Sequence, residues 1–171
     1  MQTHRRTLVL VRHAKAEDYG PSDHARALTQ RGRNDAAEIG RRLGSARIVP
    51  AQALVSDALR TQQTYTEIAR AAAFDCPVIS SPALYAAGPD TALDLIRDTA
   101  ESVDALIVVG HNPTLALIAA SLDDGEGNVS ASTAMVAGFP TAACAVFGVT
   151  GDWPDLRPAS TSLVDFWVSR A

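Results

Sequence analysis

The sequence predicts an α/β fold: a three-layer sandwich with a mostly parallel central sheet, helices on both faces and an antiparallel edge. Three observations predict it. Apolar runs of strand length recur at Leu8–Val11, Ala53–Val55 and Leu106–Val109, and amphipathic helical patterns separate them, the alternation that right-handed βαβ crossovers require. Each of these runs ends in polar residues capable of chemistry. Late in the chain the helical patterns give way to successive apolar runs, which suggests a hairpin-like end with at least one antiparallel strand.

The elements follow in order. Behind the first strand, Lys15 to Leu28 carries Gly20-Pro21 and many polar residues and reads as a loop over the strand end. Thr29 can cap the next helix, which sets Ala36, Ile39 and Leu43 on one face and stops at Gly44. After Ala53–Val55, either Ser56 or Asp57 can cap a second helix from about Ala58, with Tyr65, Ile68, Ala69 and Ala72 facing the core. Val78-Ile79 is a short strand candidate behind Pro77. Asp90 or Thr91 opens a third helix with Leu93 and Ile96. Asn112 caps a fourth, with Pro113 at its first position and Leu115, Ile118, Ala119 and Leu122 along one stripe. Asp123 to Ser132 is a polar loop, and Met135–Phe139, Cys144–Val149 and Leu163–Val168 read as the closing strands.

Composition narrows the function classes. A chain of 171 residues suits one substantial core, so a single domain over 1–171 is expected. With 47% hydrophobic and 20% charged residues it has an ordinary globular composition, which argues against disorder. The basic start is followed by only Leu8–Val11 before Arg12, too short for a signal-peptide core, and no long apolar span occurs; a cytoplasmic protein with no membrane partner is expected. Arg5-Arg6 reads as a solvated end. A net charge of −4 gives no support to nucleic-acid binding. Cys76 and Cys144 lie far apart in apolar surroundings and read as buried thiols with no disulfide.

The chemistry concentrates at strand ends. Arg12-His13 follows the first strand and Gly110-His111-Asn112 ends another, and in open α/β sheets the carboxyl ends of strands are where distant residues converge on a ligand. A third strand end leads through Ser56-Asp57 to Arg60 in or near a helix's first turn, where unpaired N–H groups and the macrodipole already favour anions. Two guanidinium forks and an imidazole can surround phosphate oxygens without a metal, and a neutral imidazole can attack phosphorus. Positive charge beside His13 should lower its pKa and favour that neutral form.

Leu8-Val9-Leu10-Val11-Arg12-His13-Ala14, Ser56-Asp57-Ala58-Leu59-Arg60-Thr61-Gln62-Gln63-Thr64 and Val109-Gly110-His111-Asn112-Pro113 resemble the three motifs of the histidine phosphatase superfamily (phosphoglycerate mutase-like). The stretch Ser22–Gly32 and the short chain narrow the resemblance to the SixA-type phosphohistidine phosphatases. The resemblance runs from Leu8 to about Leu122. It implies a phosphatase domain over residues 1–171, with His13 as nucleophile, Arg12, Arg60 and His111 holding the phosphate, no cofactor and no metal. Its partner would be a phosphorylated protein or a small-molecule phosphate.

One departure bears on substrate. Many relatives place a Glu shortly after the third strand, where this chain has Ala86-Ala87, and the acid-phosphatase branch places an Asp directly after the second His, where this chain has Asn112. Glu17, Asp18 and Asp23 lie in the loop behind His13, where acidic residues are commonly just solvated. Alkoxides need protonation to leave, whereas imidazole, whose conjugate acid has a pKa of about 6.5, departs readily near neutral pH. A site without an acid therefore suits P–N cleavage. The alternatives are a phosphomonoesterase acting on a small metabolite, with an acid from the Glu17–Asp23 loop, and a non-catalytic phosphate-binding module. A mutase fits less well. Zinc fits least, because His4, His13, His24 and His111 show no ligand-like clustering.

Overall fold

The computed structural model describes residues 6–171; the basic start at residues 1–5, His4 included, lies outside them. Six strands, β1 (Arg6–Arg12), β2 (Gln52–Ser56), β3 (Val78–Ser81), β4 (Ala105–Gly110), β5 (Ala143–Val149) and β6 (Thr161–Val168), form one open sheet in the order β3-β2-β4-β1-β5-β6. The first four in that order are parallel, and β5 runs antiparallel to both β1 and β6. Leu8, Val9, Leu10 and Val11 are fully buried, as expected of a central strand covered on both faces.

The two-residue period of β1 divides the core. Val9 and Val11 pack with Ile39, Leu43, Tyr65 and Ile68 beneath α1 (Gln30–Ser45) and α2 (Leu59–Ala72). Leu8 and Leu10 point the other way, into a cluster with Ile96, Leu115, Ile118 and Met135. Those residues come from α4 (Pro89–Arg97), α5 (Thr114–Leu122) and α6 (Val129–Ala137). A short α3 (Pro82–Ala86) follows β3, with Ser81 Oγ accepting from the Leu84 N–H at 3.1 Å. The three layers expected from the sequence are therefore present.

Several local expectations are corrected. Met135–Phe139 is not a strand: α6 ends within it at Ala137, and that helix is capped at its start by Asn128, whose side chain accepts from the Ala131 N–H at 3.1 Å. Ala131 and Met135, one helical turn apart, are buried while Val129 and Val136 face out, so the apolar residues serve a helix. Asn112 does not cap α5; its amide donates to the Phe139 carbonyl instead, and α5 begins at Thr114. Helix α4 opens at Pro89 behind Gly88, ahead of Asp90 and Thr91. Nor is Arg6 solvated: it is buried, and its guanidinium reaches Asp152 Oδ1 at 2.6 Å and the Gly151 carbonyl at 3.0 Å. Both thiols are buried and free, as expected.

The start of α1 is pinned to the loop behind β1. The Lys15 carbonyl accepts from Thr29 N at 2.9 Å and Thr29 Oγ1 at 3.1 Å, while Thr29 Oγ1 caps the Gly32 N–H at 2.9 Å. A Cβ at Gly32 would overlap that same Lys15 carbonyl oxygen. In Gly32→Ala the overlap should outweigh the ~1 kcal/mol that alanine gains in helix propensity. Urea unfolding should show a net loss of about 1–3 kcal/mol. An unchanged midpoint would mean that the loop can yield.

Candidate active site

Three strands and a helix bring the candidate residues together. His13 leaves β1 with its N–H donated to the Gly110 carbonyl at the end of β4 (3.0 Å), and its own carbonyl accepts from Ala142 N (3.2 Å). His111 follows β4, and the two imidazole rings are 5.3 Å apart. Arg60, buried, is the second residue of α2, which follows β2. Thr64 locks that helix to the loop behind His13: its hydroxyl accepts from the Ala14 N–H (3.0 Å) and donates to the Arg60 carbonyl (2.7 Å). Arg12 is half-buried, with Nη1 on the Phe139 carbonyl at 3.2 Å. All four predicted site residues thus converge at the carboxyl ends of the parallel strands.

The electrostatics prepare a neutral imidazole and an anion cradle. His13 Nδ1 lies 2.8 Å from the Ala14 carbonyl, which can only accept, so Nδ1 carries the proton and Nε2 keeps its lone pair. Burial pulls the His13 pKa down to about 3, with the charges of His111, Arg60 and Arg12 adding to it and the Ala14 hydrogen bond opposing. Burial, then Arg60, brings His111 to about 4. The sequence anticipated the direction for His13 but assigned it to the arginines; desolvation is the larger cause. Arg12 Nε, Arg60 Nε and His111 Nδ1 are buried with no hydrogen-bond partner among the described residues. Buried polar groups are rarely left unpaired, and these three belong to residues expected to hold phosphate.

Both rings should therefore stay uncharged through the neutral range. In ¹⁵N spectra of the imidazoles, neither His13 nor His111 is expected to titrate between pH 8 and pH 5, because protonation follows the lowered values of about 3 and about 4. A midpoint near the ordinary value of 6.5 in either ring would contradict this.

Sequence reasoning missed Tyr85 and underrated Asp23. Tyr85, on α3, packs edge-on against His111 with centroids 5.6 Å apart and donates its hydroxyl to Asp23 Oδ2 at 2.6 Å. Arg60 joins them, with Nη1 on the Asp23 carbonyl (2.8 Å) and Nη2 on Asp23 Oδ2 (3.3 Å). The Tyr85 hydrogen bond, helped by Arg60 and Arg26, holds the Asp23 carboxyl at about 2. The remaining loop acids, Glu17 and Asp18, are exposed, and Asp18 lies 3.6 Å from Lys15. Ser56, read as a helix cap, lies 3.4 Å from Ala58 N, a long bond, while its hydroxyl is 2.7 Å from His111 Nε2. The helix begins without a side-chain cap. No signal in the sequence pairs Ser56 with His111 or Tyr85 with Asp23.

Residues 8–85 match the family model of the histidine phosphatase superfamily (branch 1). An uncharacterized protein of Mycobacterium tuberculosis is 35% identical over 162 residues, covering 94% of this chain and all of that one. A solved structure provisionally assigned as the phosphohistidine phosphatase SixA of Nakamurella multipartitia superposes with a TM-score of 0.85 at 29% identity, covering 97% of both chains. The chain belongs to the histidine phosphatase superfamily. A second structure with the same provisional assignment, from Agrobacterium tumefaciens, gives a TM-score of 0.79 at 29% identity over 96% of this chain and 99% of that one. The protein is therefore a phosphatase. The motif histidines and arginines of the superfamily resemblance are the same residues that the fold gathers around His13. Among the described residues no helix is long and apolar enough to cross a membrane.

Proposed function

We propose that this histidine phosphatase hydrolyses phosphohistidine on a protein without a metal, through a covalent phospho-His13 intermediate. His13 Nε2 attacks phosphorus while Arg12, Arg60 and His111 hold the equatorial oxygens. The P–N bond breaks with its electron pair passing to a substrate ring that carries a proton from solvent on its other nitrogen, so that neutral imidazole leaves. Water then attacks the phosphorus of phospho-His13, gives up a proton to solvent and releases inorganic phosphate, returning the neutral His13 ring with its Nδ1 proton. Positioning and charge stabilisation are what phosphoryl transfer chiefly asks of a protein.

The observation that carries the substrate class is that, among the described residues, no carboxylic acid stands at the two positions where relatives carry one to protonate the leaving group. Ala86 and Asn112 stand where relatives carry acids, and the Asn112 amide is engaged by the Phe139 carbonyl. Asp23, the loop carboxylate that does reach the site, is held ionised at about 2 by Tyr85 and the neighbouring arginines. A phosphohistidine ring that takes a proton from solvent on its other nitrogen leaves as neutral imidazole and needs no such donor from the protein. The similarity to two chains provisionally assigned as SixA supports the same reading. The test is phosphate release from a phosphohistidine peptide, assayed beside p-nitrophenyl phosphate and sugar phosphates, in buffer containing EDTA. Hydrolysis of the peptide should survive chelation, since arginines neutralise the phosphate charge. Loss with EDTA and recovery with Mg²⁺ or Zn²⁺, or hydrolysis of sugar phosphates alone, would overturn the proposal.

A further inference from the structure

We propose that Ser56 is a positioning residue that fixes His111 in its Nδ1–H tautomer, making the second imidazole a hydrogen-bond donor to the phosphoryl group. The proposal rests on the reading of His111 as a phosphate ligand, and it starts from a buried proton. Ser56 is fully buried at the end of β2, and its Oγ lies 2.7 Å from His111 Nε2. The other contact of that oxygen is the Ala58 N–H at 3.4 Å, which it can only accept. Among the described residues the imidazole nitrogen is thus the acceptor in reach of the serine proton.

A nitrogen that accepts has no proton of its own. Burial keeps His111 neutral at physiological pH, with its pKa at about 4, so its single ring proton then sits on Nδ1. Nδ1 is buried and has no hydrogen-bond partner among the described residues. An anion among Arg12, Arg60 and His13 would supply the missing acceptor. The opposite tautomer would strand the serine hydroxyl proton and leave Nδ1 presenting a lone pair to any phosphate oxygen it met.

The test is the tautomer itself, read from two-bond ¹H–¹⁵N correlation spectra of the full chain at neutral pH, free and with inorganic phosphate. His111 should show a protonated Nδ1 and a bare Nε2, and His13, held by the Ala14 carbonyl, gives the same pattern as an internal reference. In Ser56→Ala, His111 should shift toward the Nε2–H form while His13 stays unchanged. Affinity for inorganic phosphate should fall roughly tenfold, the scale of one lost hydrogen bond. An Nε2–H tautomer in the unsubstituted protein, or an unaltered His111 in a folded Ser56→Ala, overturns the proposal. The first of these needs no variant, so misfolding cannot shelter it. The spectra are also independent of turnover: a chain inactive on phosphohistidine with the expected tautomer defeats the proposed function and leaves the Ser56 assignment standing.

Discussion

Replacing His13 with alanine should abolish turnover, by on the order of 10⁴–10⁶-fold, as loss of a covalent nucleophile typically does. It should also abolish the phosphoenzyme that an alkaline quench traps from the unsubstituted protein in rapid-mixing experiments. That adduct should be stable to base and lost in acid, the behaviour of a phosphorus–nitrogen bond. The fold should be retained, because the backbone bonds of His13 to Gly110 and Ala142 do not involve the ring. The amide spectrum checks this. A His13→Ala protein that labels as fully as the original would show that another residue, His111 being nearest by ring distance at 5.3 Å, carries the phosphoryl group.

The second large effect is selectivity. General acid catalysis contributes about 10²–10⁴-fold, so a site that lacks the acid should cleave alkyl phosphates more slowly than phosphohistidine by ~10³-fold in kcat/KM. Aryl phosphates, whose leaving groups need little protonation, should fall between the two. Comparable kcat/KM values on an alkyl phosphate and on a phosphohistidine peptide would overturn the argument from Ala86 and Asn112. A loop carboxylate would then be the donor, and Glu17→Gln, Asp18→Asn and Asp23→Asn, tested singly, should identify it by a loss confined to alkyl esters. The structure already weighs against Asp23, whose carboxylate is occupied by Tyr85 and Arg60.

Much of the fold was legible because buried central strands leave a strong trace. Leu8–Val11 and Leu106–Val109 are continuous apolar runs, since both faces of the sheet are covered, and the helices between them keep a clear period. The misreading at Met135–Phe139 has the opposite cause. A five-residue apolar run is compatible with a strand or with one turn of a buried helix, and periodicity over that length cannot separate them. The discriminating signal lay upstream, in the capping residue Asn128. Asn112 also looked like a cap, but a tertiary acceptor, the Phe139 carbonyl 27 residues on, took its amide.

The sequence by itself determined the chemical endowment: Arg12 ends a strand, His13 and His111 follow directly on strands, Arg60 lies in the first turn of a helix, and a strand end in a parallel sheet leaves its residue little choice but the carboxyl edge. Short-range geometry sufficed for that. Only the tertiary structure decided how those groups are held and charged. The order β3-β2-β4-β1-β5-β6 places β4 beside both β1 and β2, which sets His111 between His13 and Ser56. Tyr85 meets Asp23 across 62 positions of sequence, and Ser56 meets His111 across 55. Such contacts are set by how layers pack rather than by local propensity, and no pattern within one element encodes them. The pKa of His13 has the same origin, because burial is a property of the assembled core and not of the motif that carries the ring.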